Sequence, residues 1–187
     1  MIKVIWAVVL KELGLSVYRL EAMRDVAIIG CGMTKFGRSQ GDLMDLLAEA
    51  SLRAIDHAGA GESDFDSVYV GNMMAGELVH QTAIASSLVD RINLVPAAAE
   101  RVENGPASGA SAVKNGFLAV ASGAADLVLV AGGEKMTAAD TDVITDLVST
   151  MTHPTVEYVH GVTLPAMAAL LTRLYMERYG LTERHLA

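Results

Sequence analysis

Cysteine, charge and long apolar runs are all scarce in this sequence. Its 187 residues include one cysteine, so no internal disulfide can form and a reducing cytoplasm is the expected location. The 14 Lys and Arg are outnumbered by 22 Asp and Glu, which leaves no basic stripe to neutralise nucleic-acid phosphates. The longest apolar run, residues 4–10, is far short of the roughly 18 residues that span a bilayer. The five histidines show no zinc-ligand spacing. We therefore expect no nucleic-acid binding, no membrane span and no metal site.

Apolar residues make up 52% of the chain and charged residues 19%. Such a composition excludes disorder, which needs low hydrophobicity and high charge. It also indicates that a partner covers part of the apolar surface, and so favours an oligomer.

Short apolar segments alternate with helical patterns along the middle of the chain. Strands are predicted at residues 26–30, 65–70, 98–103 and 126–133. Helices are predicted between them, at residues 42–59, 82–89 and 107–122. This alternation predicts an α/β fold in which helices cover both faces of a sheet, a layered α/β/α domain.

The pattern changes at both ends of this core. Residues 1–22 are interpreted as an N-terminal extension, either a start assigned too far upstream or an amphipathic helix that packs on the body or on a partner. Residues 23–136 form the predicted core. Residues 137–160 are polar and without clear period, which indicates a lid or an excursion from the core. A helix follows at 164–179 with Pro165 in its first turn.

Three segments together resemble one family. They read VAIIGCGMTKFG from Val26, ENGPASGASAVKNGFLAVASG from Glu103, and DLVLVAGGEKM from Asp126. They resemble the N-terminal half of a thiolase, of the sterol-carrier-protein-x type or the archaeal acetyl-CoA acetyltransferases. Residues 161–180 resemble the loop-domain helix of that subgroup, so 137–187 is interpreted as part of a loop domain.

The resemblance implies Claisen condensation or thiolysis of acyl-CoA by a protein of two similar halves. A coenzyme A thioester would be substrate or ligand, with no resident cofactor. The final strand of the first half's sheet would follow the loop domain, so we expect this chain to lack it and to expose an apolar sheet edge that promotes association. The third strand of the family pairs across a dimer axis, which makes the following residues the candidate interface: Ala98, Glu100, Arg101, Val102 and Glu103.

Position 106 departs from the family pattern. The family's nucleophile is a cysteine at the start of the helix after the third strand, and Pro106 occupies that position here. Proline supplies neither a thiolate nor a backbone N–H, and one oxyanion donor is worth roughly 3 to 4 kcal/mol. Proline instead suits the first position of a helix, which Asn104 or Gly105 would cap. No catalytic residue is therefore assigned in this chain.

Other polar residues are weighed against structural roles. Cys31 follows the first strand and is expected to be a small buried residue. Ser108 has no histidine placed near it by the sequence and is expected at the helix start. His160 borders Gly161 in the loop domain, which covers the family's pocket. Ser108 and His160 remain the candidate substrate-binding residues, and Glu134–Lys135 is either a buried ion pair or a loop pair.

Three functional hypotheses follow. The chain is a thiolase-like acyl-CoA protein that lacks the usual chemistry in this half. Alternatively, it is a non-catalytic structural or lipid and acyl-CoA-binding subunit. Such a subunit would pair with an active thiolase, with a separately encoded C-terminal half, or with an accessory protein that has an OB-fold and a zinc ribbon. The third hypothesis is a split or truncated reading frame without independent function.

Overall fold

A computed structural model describes the backbone of residues 6–12 and the whole of residues 23–186. The chain divides into two compact units, with the boundary between Ala138 and Ala139. Within the described residues, no helix is long and apolar enough to cross a membrane.

The first unit is a five-stranded mixed sheet covered by helices. Its strands are β1 (Trp6–Glu12), β2 (Val26–Met33), β3 (Ser67–Gly71), β4 (Ala98–Val102) and β5 (Leu127–Gly132). Its helices are α1 (Leu43–Ala58), α2 (Ala75–Val79), α3 (Ile84–Arg91) and α4 (Ser108–Ser122). The strand order is β2-β1-β5-β3-β4, with β3 parallel to both β4 and β5. The layered α/β fold that the sequence predicts is confirmed.

Strand β5 is the centre of the core, because every one of its residues is buried. Leu127, Leu129 and Ala131 pack in the cluster formed with α1 and α3. Val128 and Val130 pack on the opposite side, against Ala112 and Val120 of α4. Side chains alternate across a strand, so a continuous apolar run such as LVLVA requires helices on both faces.

Helix α1 is fixed at its start and against the sheet. Asp42 caps it, since its carboxylate accepts the Asp45 N–H at 2.7 Å while the Asp45 carboxylate accepts the Asp42 N–H. A Cβ at Gly32 would lie 2.2 Å from the Ala50 carbonyl oxygen, so β2 lies against the backbone of α1. The glycines of β2 are therefore what allows this close packing.

Strand β1 is the main departure from expectation. It lies between β2 and β5 and runs antiparallel to both, so the sheet has an inner strand that the sequence analysis did not expect. The helix considered for the N-terminal extension is wrong over residues 6–12, and the rest of that segment, residues 1–5 and 13–22, lies outside the described residues. The run WAVVL is rich in aromatic and β-branched residues, which favour a strand.

The second unit contains α5 (Thr141–Ser149) and α6 (Leu164–Tyr179), with 3₁₀ turns at Tyr158–His160 and Glu183–His185. Thr163 caps α6 and Gly180 ends it in a left-handed conformation, as predicted. The sequence shows no clear helical period over residues 137–160, yet α5 lies within them. Its apolar residues, Val143, Ile144, Leu147 and Val148, fit a helical face, but the frequent Thr and Asp residues weaken the pattern.

We expect Gly32→Ala to destabilise the first unit by about 1–3 kcal/mol, because the added methyl group meets backbone atoms of α1 that cannot move freely. Gly61→Ala is the matched control, since its Cβ would meet only the flexible Asp64 carboxylate at 3.1 Å. Urea unfolding of both variants measures the difference. Equal free energies of unfolding would contradict the close packing of β2 on α1.

Candidate functional site

The carboxyl ends of β3, β4 and β5 lie side by side, and a loop follows each of them. These loops contain residues 72–74, 103–107 and 133–135. In open α/β sheets, ligands bind beyond the carboxyl ends of parallel strands. This edge is also where α4 begins, so it brings Pro106, Ser108 and Glu134 into one region of the first unit.

The turn around Pro106 joins β4 to α4. Gly105 has a φ of +53°, and the N–H groups of Ala107 and Ser108 bond back to the carbonyls of Asn104 and Gly105. Helix α4 starts at Ser108, and its N-cap Ala107 makes no side-chain cap. The expectation of Pro106 at the first helical position, capped by Asn104 or Gly105, is therefore wrong. Pro106 lies instead in the turn before the helix. Hydrogen bonds from the Ala107 and Ser108 N–H groups close that turn.

Ser108 is buried, and its hydroxyl group is used within the turn. The Oγ atom accepts the Asn104 N–H at 2.9 Å and donates to the Gly105 carbonyl at 2.6 Å. The Asn104 side chain donates to Ser111 Oγ at 2.9 Å. The Ser108 hydroxyl therefore stabilises the start of α4, as expected of a residue at the start of a helix.

Gly71 at the end of β3 supports the same helix start. A Cβ at this position would lie 2.7 Å from the Ser108 carbonyl oxygen and 2.8 Å from the Gly109 Cα atom. The end of β3 and the first turn of α4 are therefore in direct backbone contact. A glycine at the end of a strand indicates a close backbone approach, which is the signal in the sequence that could have identified this role of Gly71.

Glu134 holds the loop after β3. Its carboxylate accepts the backbone N–H groups of Met73 and Met74, the latter at 3.2 Å, and the Asn72 side-chain amide at 2.8 Å. From the other side, the Arg101 guanidinium donates to the carbonyls of Met73 at 2.6 Å and Asn72 at 3.2 Å. Glu134 thus bonds to all three residues of this loop, and Arg101 bonds to the first two of them.

Burial raises the pKa of Glu134 above its ordinary value of 4.5. The hydrogen bonds from Met73, Met74 and Asn72, and the charge of Arg101, oppose that rise without cancelling it. Lys135 bonds elsewhere, since its ammonium group donates to the carbonyls of Ser39 at 2.7 Å and Gly41 at 2.6 Å. The sequence leaves Glu134 and Lys135 as either a buried ion pair or a loop pair. The structure supports the loop pair, because the two side chains bond to different partners.

Cys31 lies on β2, away from the turn that precedes α4. It is exposed, so the expectation of a small buried residue is wrong. Its Sγ atom is 3.4 Å from Nδ1 of His57 on α1, and its backbone N–H donates to the same nitrogen at 3.2 Å. The two residues are 26 positions apart, and no sequence pattern connects them. The thiol is exposed because the flanking glycines, not Cys31, face α1.

The second unit contains a cleft of about 770 Å³, formed between α5 and the segment that precedes α6. The Tyr158 hydroxyl donates to Asp146 at 2.7 Å across it. His160 is exposed in the adjacent 3₁₀ turn, and its chain neighbours Val159 and Gly161 line the cleft. The remaining residues of the wall are Thr141, Asp142, Thr145, Ser149, Val162 and Thr163.

The candidate interface strand β4 is at an edge of the sheet. Ala98, Glu100 and Glu103 are exposed, whereas Arg101 and Val102 are half-buried. Arg101 directs its guanidinium to the loop after β3. Whether this strand pairs with another chain stays a prediction. Across residues 23–186, no group of three or more His, Cys, Asp or Glu side chains is placed to hold a metal ion.

Comparison with known proteins identifies relatives of this chain. The family model described as "Thiolase, N-terminal domain" matches residues 26–187. An acetyl-CoA acetyltransferase of Methanothermobacter thermautotrophicus is 43% identical over 88% of this chain and 43% of its own length. One of Methanocaldococcus jannaschii is 44% identical over 88% of this chain and 42% of its own. Human sterol carrier protein 2 is 28% identical over 92% of this chain and 33% of its own length. The chain thus spans less than half the length of these relatives.

We expect Glu134→Gln to remove one component of the pH dependence of stability. A carboxyl group whose pKa is raised by folding binds its proton more tightly in the folded state, so it stabilises below pH 4.5 and loses that contribution as pH rises through the folded pKa. Wild type should therefore lose stability relative to the variant as pH rises from 4.5 towards 7. Urea unfolding at several pH values measures the difference, and a constant difference between the two proteins would contradict the raised pKa.

Proposed function

Because the chain belongs to the thiolase family, we propose that it binds an acyl-CoA thioester without forming an acyl-enzyme in this half. The family relation supports a thiolase-like acyl-CoA protein. The absence of acyl transfer here is the part that we infer from the residues at the candidate site.

The observation that carries this proposal is Pro106 in the turn between β4 and α4. Acyl transfer requires a nucleophile, and proline has no side-chain atom that can act as one. Proline also has no N–H to stabilise a developing oxyanion. The turn is held by backbone bonds and by the Ser108 hydroxyl, so it is ordered around the proline.

Neither of the neighbouring nucleophile candidates replaces the missing thiol. The Ser108 hydroxyl donates its proton to the Gly105 carbonyl, and no histidine bonds to it. The Cys31 thiol has the His57 Nδ1 atom at 3.4 Å, but it lies on β2, whereas α4 begins after β4. Neither group therefore supplies an activated nucleophile at the turn before α4.

We assign ligand binding to the cleft of the second unit and to His160 beside it, taking residues 137–187 as part of a loop domain. A volume of about 770 Å³ is within the range of small-molecule sites. Its wall combines the apolar Val159 and Val162 with the hydroxyls of Thr141 and Thr163 and the carboxylates of Asp142 and Asp146. Ser108 then supports the start of α4, and any contact it makes with ligand is secondary to that role.

A second candidate function is that of a non-catalytic subunit, located in the cytoplasm. Exposed apolar residues on α6 favour it, because Leu170, Leu171 and Leu174 are each more than 60% exposed. The edge strand β4 is the candidate surface for a homo-oligomer or for an active thiolase. The chain's relatives are more than twice as long, which favours a C-terminal half as the partner. An OB-fold and zinc-ribbon accessory protein is the remaining partner proposed.

We expect acetyl-CoA to raise the melting temperature of the protein. A ligand that binds only the folded state stabilises it by RT ln(1 + [L]/Kd), which is about 2.7 kcal/mol when the ligand concentration is a hundred times Kd. His160→Ala should weaken binding about fivefold, the effect of one lost hydrogen bond. His153→Ala, an exposed histidine in the same unit, is the matched control and should bind as wild type. Differential scanning fluorimetry measures all three. No shift at millimolar acetyl-CoA would contradict the binding proposal.

A further inference from the structure

Strand β1 comes from outside the part of the chain that the thiolase family model matches. That match begins at residue 26, whereas β1 is Trp6–Glu12. Yet β1 pairs with β2 along one side and with β5 along the other, so it is an inner strand. A central position in the sheet is thus filled by a segment that the family relation does not account for.

The two walls of this position are held by packing that does not involve β1. On one side, β2 lies against α1, because a Cβ at Gly30 would be 2.3 Å from the Ala54 carbonyl oxygen and one at Gly32 would be 2.2 Å from that of Ala50. On the other side, β5 is buried between α1 and α4 and is paired with β3. Both β2 and β5 belong to residues 26–187. We call the position between them, which one strand fills, the slot.

An empty slot would leave backbone N–H and C=O groups of β2 and β5 without partners. Buried backbone groups require hydrogen bonds, so some extended segment must fill it. Among the described residues, β1 is the strand that joins β2 to the rest of the sheet. The loops that follow β2 and β5 are also linked, since Lys135 bonds to the carbonyls of Ser39 and Gly41.

We propose that the slot between β2 and β5 is a strand-binding site, occupied by residues 6–12 of the same chain. It takes one extended segment, antiparallel to both walls, and recognises it through backbone hydrogen bonds on both sides. The same segment, offered as a separate peptide, occupies the slot when the chain's own strand cannot. This inference does not depend on acyl-CoA binding.

The register gives a direct test of the occupant. Residue 8 lies opposite Cys31 in the antiparallel pair of β1 and β2. Opposite residues in such a pair have Cα atoms about 4.5–5.5 Å apart, within the range that a disulfide bridges. Under mild oxidation, Val8→Cys should form an intramolecular disulfide with Cys31. Ala7→Cys lies opposite Gly32 and should form none, because adjacent residues face opposite sides of the sheet.

Peptide mapping by mass spectrometry identifies the bond, and Val8→Cys with Cys31→Ala controls for other thiol reactions. A disulfide in Val8→Cys alone supports the proposal. No disulfide, or equal yields at positions 7 and 8, would overturn it.

The binding part of the proposal is tested on the full chain with Val8→Pro, which removes one backbone donor from an inner strand. We expect its melting temperature to fall and a peptide of residues 4–14 to restore it. A peptide carrying the same proline should have no effect. If the variant does not fold alone, the yield of soluble protein after refolding with each peptide is the readout. An unchanged melting temperature, or equal effects of the two peptides, would overturn the proposal.

Discussion

A proline in the turn before α4 is the constraint on which the functional account depends. We propose that Pro106 stands where the family has its nucleophile, and proline supplies neither the thiol nor the backbone N–H that acyl transfer needs there. The turn around Pro106 is closed by hydrogen bonds of Ser108 Oγ and by those that the carbonyls of Asn104 and Gly105 accept. We propose that this half keeps the fold of the family without its acyl-transfer chemistry.

The region around that turn is stabilised by contacts between loops. Gly71 lets the end of β3 touch the first turn of α4, and Glu134 and Arg101 hold the loop that follows β3 from two sides. Half-burial of Glu134 is tolerated because its carboxylate accepts several N–H groups. These contacts order the ends of three strands, and they stabilise the edge of the sheet whether or not a reaction takes place there.

Periodicity and composition of the sequence predict the parts of this fold that depend on residues close together in the chain. The apolar run of β5, the Asp42 cap of α1 and the span of α6 are readable because each reflects burial or capping within a few residues. Contacts between distant residues are not readable in that way. Cys31 with His57, Glu134 with Met73, and the insertion of β1 depend on the tertiary fold. The threonine-rich α5 was missed because its pattern is weak.

The most direct test of the central claim is intact-mass spectrometry of the purified chain after incubation with acetyl-CoA under conditions where binding is detected. The account predicts an unmodified protein, because the residue at position 106 cannot accept an acetyl group. A stoichiometric gain of one acetyl group, mapped by proteolysis to residues 104–111, would contradict it and would show that acyl transfer persists in this half.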